Sequence, residues 1–115
     1  MDYIVKSNRR HRYISFRIVS KEENHSFTDM ELIQIIRQQT YDLFSRTSKE
    51  LGLWLVQFDG ITGIIKCHYK EKEHTIQLLQ SLKKIGLESV TVTTYATSGT
   101  IRGITDKKRI RSRFE

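Results

Sequence analysis

The chain has 115 residues, which fits one compact domain and leaves no room for a second. Hydrophobic residues at 37% and charged residues at 29% describe a globular chain, not a disordered one. No stretch approaches the roughly 20 apolar residues needed to cross a bilayer, which argues against a membrane span, and no proline marks a linker.

The net charge is +7, and its placement is informative. Residues 1–21 hold six Lys/Arg against one acid, and residues 101–115 hold six against two. The two ends therefore carry +9, and the stretch between them carries −2. Terminal basic runs of this kind read as arms that neutralise a polyanion. The chain is expected to divide into a basic arm at 1–12, a core at 12–96, and a turn with a basic tail at 97–115. The start, Met1-Asp2-Tyr3-Ile4-Val5-Lys6, is too polar for a secretory signal. The single cysteine, Cys67, lies in an apolar run and reads as a buried thiol in a reducing cytoplasm.

The densest basic cluster is Arg9-Arg10-His11-Arg12. Guanidinium forks engage phosphate oxygens bidentately, although a solvated terminus has the same composition. Residues 12–20 alternate, with Ile14, Phe16 and Ile18 on one side and Tyr13, Ser15 and Arg17 on the other, which predicts a half-buried strand. Thr28 and Glu31 form a capping box, with Phe27 and Leu32 at the staple positions. The helix they open is predicted to run to about Arg46, with Leu32, Ile33, Ile36, Leu43 and Phe44 on its inner face.

Residues 53–58 are apolar on both faces and read as a strand, turned at Asp59-Gly60 into a second arm over 62–69. A second helix is predicted over 72–85, stopped by Gly86, and a last strand over 89–95. Thr97-Ser98-Gly99-Thr100-Ile101-Arg102 then sets small hydroxyl residues around a glycine. Such a turn can aim backbone N–H groups at an anion beside Arg102, or can simply cap a helix. The tail adds Lys107, Lys108, Arg109, Arg111 and Arg113.

The order strand, helix, strand, strand, helix, strand predicts an α+β fold. It is a ferredoxin-like, RRM-like α/β sandwich with a four-stranded antiparallel sheet, spatial order 4-1-3-2, and basic termini. Strands 1 and 4 are then antiparallel neighbours, so the two basic ends converge on one patch. The helix-free face is expected to show Tyr13, Arg17, Leu53, Leu55, Ile64, Lys66, His68, Thr93 and Tyr95. The candidate RNA-contact residues are Arg9, Arg10, Arg12, Arg17, Lys66, Ser98, Arg102, Lys107, Lys108, Arg109 and Arg111. Leu53, Leu55 and Ile64 suit a covering helix or a protein partner better than bases, since the aromatic pattern of RNA-recognition-motif domains is missing, with Ile64, Lys66 and His68 where exposed aromatics would stand. His11, His25, His68 and His74 show no metal-ligand spacing, and no nucleophile with its base, two-metal carboxylate cluster or phosphate-binding glycine loop is evident.

Taken together, Arg12-Tyr13-Ile14-Ser15-Phe16, Leu53-Trp54-Leu55-Val56-Gln57-Phe58-Asp59-Gly60, Gly63-Ile64-Ile65-Lys66-Cys67 and Thr97-Ser98-Gly99-Thr100-Ile101-Arg102 resemble the ribonuclease P protein component 2 family of archaea, which has eukaryotic relatives. The resemblance implies a subunit of the ribonucleoprotein that trims the 5′ leader of precursor tRNA. It implies pairing with ribonuclease P protein component 3 and other ribonuclease P proteins, and binding to the catalytic region of ribonuclease P RNA. It also implies that the RNA performs the chemistry with Mg²⁺ of its own, the chain holding no cofactor. The competing readings are a ferredoxin-like RNA-binding protein of the ribosome or its assembly, and a small-ligand regulatory domain on the same fold; a stand-alone nuclease fits least.

Overall fold

The computed structural model describes residues 10–21 and 26–100. The chain runs β1 (His11–Ser20), α1 (Asp29–Phe44), β2 (Trp54–Phe58), β3 (Thr62–His68), a 3-10 turn (Tyr69–Glu71), α2 (Lys72–Ser81), β4 (Lys84–Ile85) and β5 (Glu88–Ser98). The five strands form one antiparallel sheet in the order β2-β3-β1-β5-β4. The expected order of the four long strands is kept, and the sheet gains a fifth.

The helix starts where its chemistry dictates. The Thr28 hydroxyl accepts the Glu31 N–H at 3.1 Å, and the Glu31 carboxylate accepts the Thr28 N–H at 2.9 Å. Phe27 and Leu32 are both buried as the staple requires. The inner face differs from expectation at Leu43 and at Ile33, which is half-buried outside the core cluster. Leu43 is exposed, and Thr40 is buried instead. Thr40 can afford this because its hydroxyl donates to the Ile36 carbonyl at 2.6 Å. Ser45 ends the helix in the left-handed conformation, φ 55°.

The second helix is shorter than expected, because β4 takes over its last turn. Leu82 is extended, with φ −69° and ψ 123°. Lys84 and Ile85 pair with Ser89 and Glu88 across a Gly86–Leu87 turn, in which Gly86 has φ 65°. Leu82 and Ile85 are buried in this extended form, so the core accepts the chain without another helical turn.

Ile14, Phe16 and Ile18 of β1 and Ile65 and Cys67 of β3 meet Leu32 and Ile36 of α1 and Leu78 and Leu79 of α2 in one core. Two glycines serve this arrangement. Gly60 has φ 101° in the turn after β2, where the Asp59 carboxylate accepts the backbone N–H groups of Ile61 and Thr62 at 2.9 and 2.7 Å. Gly63 sits where a Cβ would lie 2.8 Å from Phe16 Cζ.

Candidate nucleic-acid interface

β1 is antiparallel to both of its neighbours. Tyr13 lies opposite Lys66 on β3 and opposite Ser98 on β5. The start of β1 and the end of β5 therefore share one end of the sheet, as the expected strand order implied. Arg10 and Arg12 stand there with Lys66, and the chain leaving β3 adds Tyr69 and Lys70. The Tyr69 N–H donates to the Arg10 carbonyl at 2.7 Å, which fixes the two segments together. The Tyr69 ring stacks on His68 at 5.0 Å between centroids. The Arg12 guanidinium lies 5.8 Å and the Lys70 ammonium 5.9 Å from its centre, both within cation–π range. Partial burial, with Lys66, His68 and Arg10 nearby, pushes the His11 imidazole below its ordinary value, so it adds no charge at neutral pH. An exposed aromatic among cations suits a phosphate backbone with accessible bases.

Arg17 is exposed on the same helix-free face, opposite Thr62 and Thr93. Ser98 belongs to β5, not to a turn after it. The strand runs two residues past the expected core limit at 96, because Thr97 and Ser98 pair with Ile14 and Tyr13. The Ser98 hydroxyl accepts the Thr100 N–H at 3.2 Å, so the turn begins only at Gly99. Arg9, Arg102, Lys107, Lys108, Arg109, Arg111 and Arg113 lie outside the described residues.

The apolar trio requires correction. Leu53, Leu55 and Ile64 do not form one exposed patch. Leu53 and Leu55 are half-buried against the core on the helix side. Ile64 is fully buried, in register with Ser15. For the two leucines the cause is a bulge in β2. Leu55 pairs with Ile65, but Gln57 pairs with Ile64, so Val56 has no partner and the alternation slips by one. Trp54 thereby lands opposite Lys66 on the helix-free face, and it is 66% exposed. Leu53 and Leu55 keep one open side. With Ile33, Arg37 and Ser48 they wall a groove between α1 and the edge strand β2, and Trp54 stands at its border.

Three residues of the interface were missed from sequence: Trp54, Tyr69 and Lys70. Trp54 reads as strand interior, and only the bulge brings it out. Tyr69 and Lys70 had a usable signal, an aromatic-basic pair at the end of a strand whose partner starts in arginines.

Beside this end of the sheet, Glu71 joins the two helices. Arg46 donates to both its oxygens, at 3.2 and 2.8 Å, and His74 Nδ1 lies 2.7 Å from Oε1. The Arg46 hydrogen bonds, then that to His74, hold the Glu71 carboxyl down at about 2. Burial pushes the Cys67 thiol up, as expected of a core cysteine. Among the described residues no group of three His, Cys, Asp or Glu could hold a metal ion, and no helix is long and apolar enough to cross a membrane.

Comparison with known proteins places this geometry. Ribonuclease P protein component 2 of Archaeoglobus fulgidus is 29% identical over 93 residues, covering 81% of this chain and 83% of that protein. A chain in the cryo-EM structure of yeast ribonuclease MRP shares the fold with a TM-score of 0.61, at 13% identity, over 93% of this chain and 97% of that one. The sequence model of the Rpp14/Pop5 family matches residues 12–108, from the first strand into the basic tail, and the chain belongs to that family.

Proposed function

We infer that this protein is a protein subunit of ribonuclease P, the ribonucleoprotein that removes the 5′ leader from precursor tRNA. The observation that carries this reading is the meeting of Arg10, Arg12 and Lys70 around Tyr69 at the end of the sheet where Lys66 also stands, in a chain of the Rpp14/Pop5 family. The archaeal component 2 relative supports it. The setting proposed with it is an archaeal-type particle in the cytoplasm. The subunit binds ribonuclease P RNA through the cationic end of the sheet, joined by the basic arm and tail. Its cations relieve repulsion between RNA phosphates brought close together. Cleavage is the work of the RNA, with Mg²⁺ bound by that RNA, so the chain contributes to an endonuclease without itself acting as a hydrolase. Precursor tRNA is the substrate of the assembled particle. Ribonuclease P protein component 3 and other ribonuclease P proteins are its partners, and the groove walled by Ile33, Leu53 and Leu55 is the surface offered to component 3.

The test is the salt dependence of RNA binding. Replacing Arg10 and Arg12 with alanine should weaken binding to ribonuclease P RNA. Two lost phosphate contacts reduce the slope of log K against log salt by about 1.4–1.8. Parental affinity and slope in that variant would remove the patch from the interface. Recovery of ribosomal RNA in place of ribonuclease P RNA with a tagged chain would point instead to a ribosomal role.

A further inference from the structure

One row of side chains crosses the face of the sheet opposite α1 and α2, which carries no helix among the described residues. Trp54 on β2, Lys66 on β3, Tyr13 on β1 and Ser98 on β5 are successive partners in register. Their neighbours one position away, Leu55, Ile65 and Ile14, pack into the core, which sets the row on the opposite side. Trp54 is 66% exposed, and Lys66 and Tyr13 are half-buried. Adjacent strands lie about 4.8 Å apart, so Trp54 and Tyr13 stand about 10 Å apart with Lys66 between them.

We propose that Trp54 and Tyr13 form a stacking site for unpaired RNA bases, with Lys66 taking the phosphate between them. An aromatic face accepts the π-face of any base, and a lysine ammonium meets a phosphate as a compact point charge. Paired bases hide their faces inside the duplex, so only unpaired nucleotides can use such a row. The surroundings favour RNA over a protein occupant. Along the same face, Arg17 lies on one side of the row, and His68 and His11 on the other. A tryptophan that anchors a protein contact sits in a desolvated apolar setting. The leucines that could supply one, Leu53 and Leu55, keep their open side on the groove between α1 and β2, not on the face that carries the row. The inference rests on the RNA-binding reading and adds to it the form of RNA recognised and the residues that read it.

Trp54 is the only tryptophan in the chain, so its fluorescence reports on this site alone. The full chain is titrated with a short oligouridylate and with an RNA duplex of equal length. The single strand should quench Trp54 and the duplex should not. Trp54→Ala should weaken binding of the single strand at least about fivefold, and Tyr13→Ala likewise, with duplex binding unchanged. Trp54→Phe, which keeps an aromatic face, should retain most of the affinity and shows that the effect is not one of folding. Unchanged fluorescence at saturation, equal quenching by duplex, or parental affinity in Trp54→Ala overturns the proposal. So does a Trp54→Ala defect confined to association with component 3, which would assign the indole to the neighbouring groove. If alanine at Arg10 and Arg12 weakens RNA binding and Trp54→Ala does not, only the stacking site falls; if neither does, the RNA-binding reading falls with it.

Discussion

Replacing Gly63 with alanine tests how tightly β2 and β3 are held together. A Cβ at this position would lie 2.8 Å from the Gln57 carbonyl oxygen, 2.8 Å from Phe16 Cζ and 3.0 Å from Phe58 Cδ1. The first two are closer than a Cβ comes to its neighbours in folded proteins, and the third is tighter than nearly all such contacts. None can retreat easily. Gln57 belongs to the β2–β3 ladder, Phe16 is 1% exposed, and its ring stacks with that of Phe58 at 6.1 Å. Forcing a methyl group into such a site costs about 1–3 kcal/mol. Alanine stiffens the unfolded chain and returns at most about 1 kcal/mol of that. A net loss of about 1–2 kcal/mol lowers Tm by about 4–16 °C in a domain of this size. Thermal unfolding followed by circular dichroism at fixed salt measures it directly. A Tm equal to or above the parental value would refute the argument that the paired rings leave no room for a Cβ.

Two further outcomes follow from named contacts. The Glu71 carboxyl is held down at about 2 by Arg46 and His74, so its stabilising effect is full above its unfolded value near 4.5 and fades as pH falls from there towards 2. Urea midpoints across that window should fall more steeply for the parent than for Glu71→Gln, and parallel curves would remove Glu71 from the acid response. Ile33 walls the groove beside β2 but lies outside the core cluster, so Ile33→Asp should weaken association with component 3 about tenfold or more in a titration while Tm stays close to parental; unchanged affinity would place that contact on another surface.

Much of the fold was legible because local rules and global packing agreed. The Thr28–Glu31 capping box and the Asp59-Gly60 turn have short-range causes and appear as read, and β1 forms as read except that Ser15, placed on its open side, is buried. The order of the four long strands followed from right-handed connections. The misreadings share one origin. Residues 53–58 are apolar on both faces, so hydrophobicity could not say which side met the core, and the answer depended on an unpaired Val56 that leaves no mark in the sequence. Likewise Leu82 and Ile85 satisfy a helical spacing and an extended one equally well, and Gly86 can stop a helix or turn a hairpin. That the start of β1 and the end of β5 share one end of the sheet was legible because it depends only on strand direction. The position of Trp54 was not, because it depends on register.

The bulge at Val56 divides β2 into two halves of opposite phase. Everything before it faces as though the strand were one residue longer than its partner. Among relatives, gain or loss of a single residue here moves the upstream side chains from one side of the sheet to the other while leaving their identities untouched. Chain length at one position can thus exchange an outward indole for an outward leucine, so two family members with the same residues need not offer the same surface. Where a gap falls between two such sequences then matters more than how many letters they share.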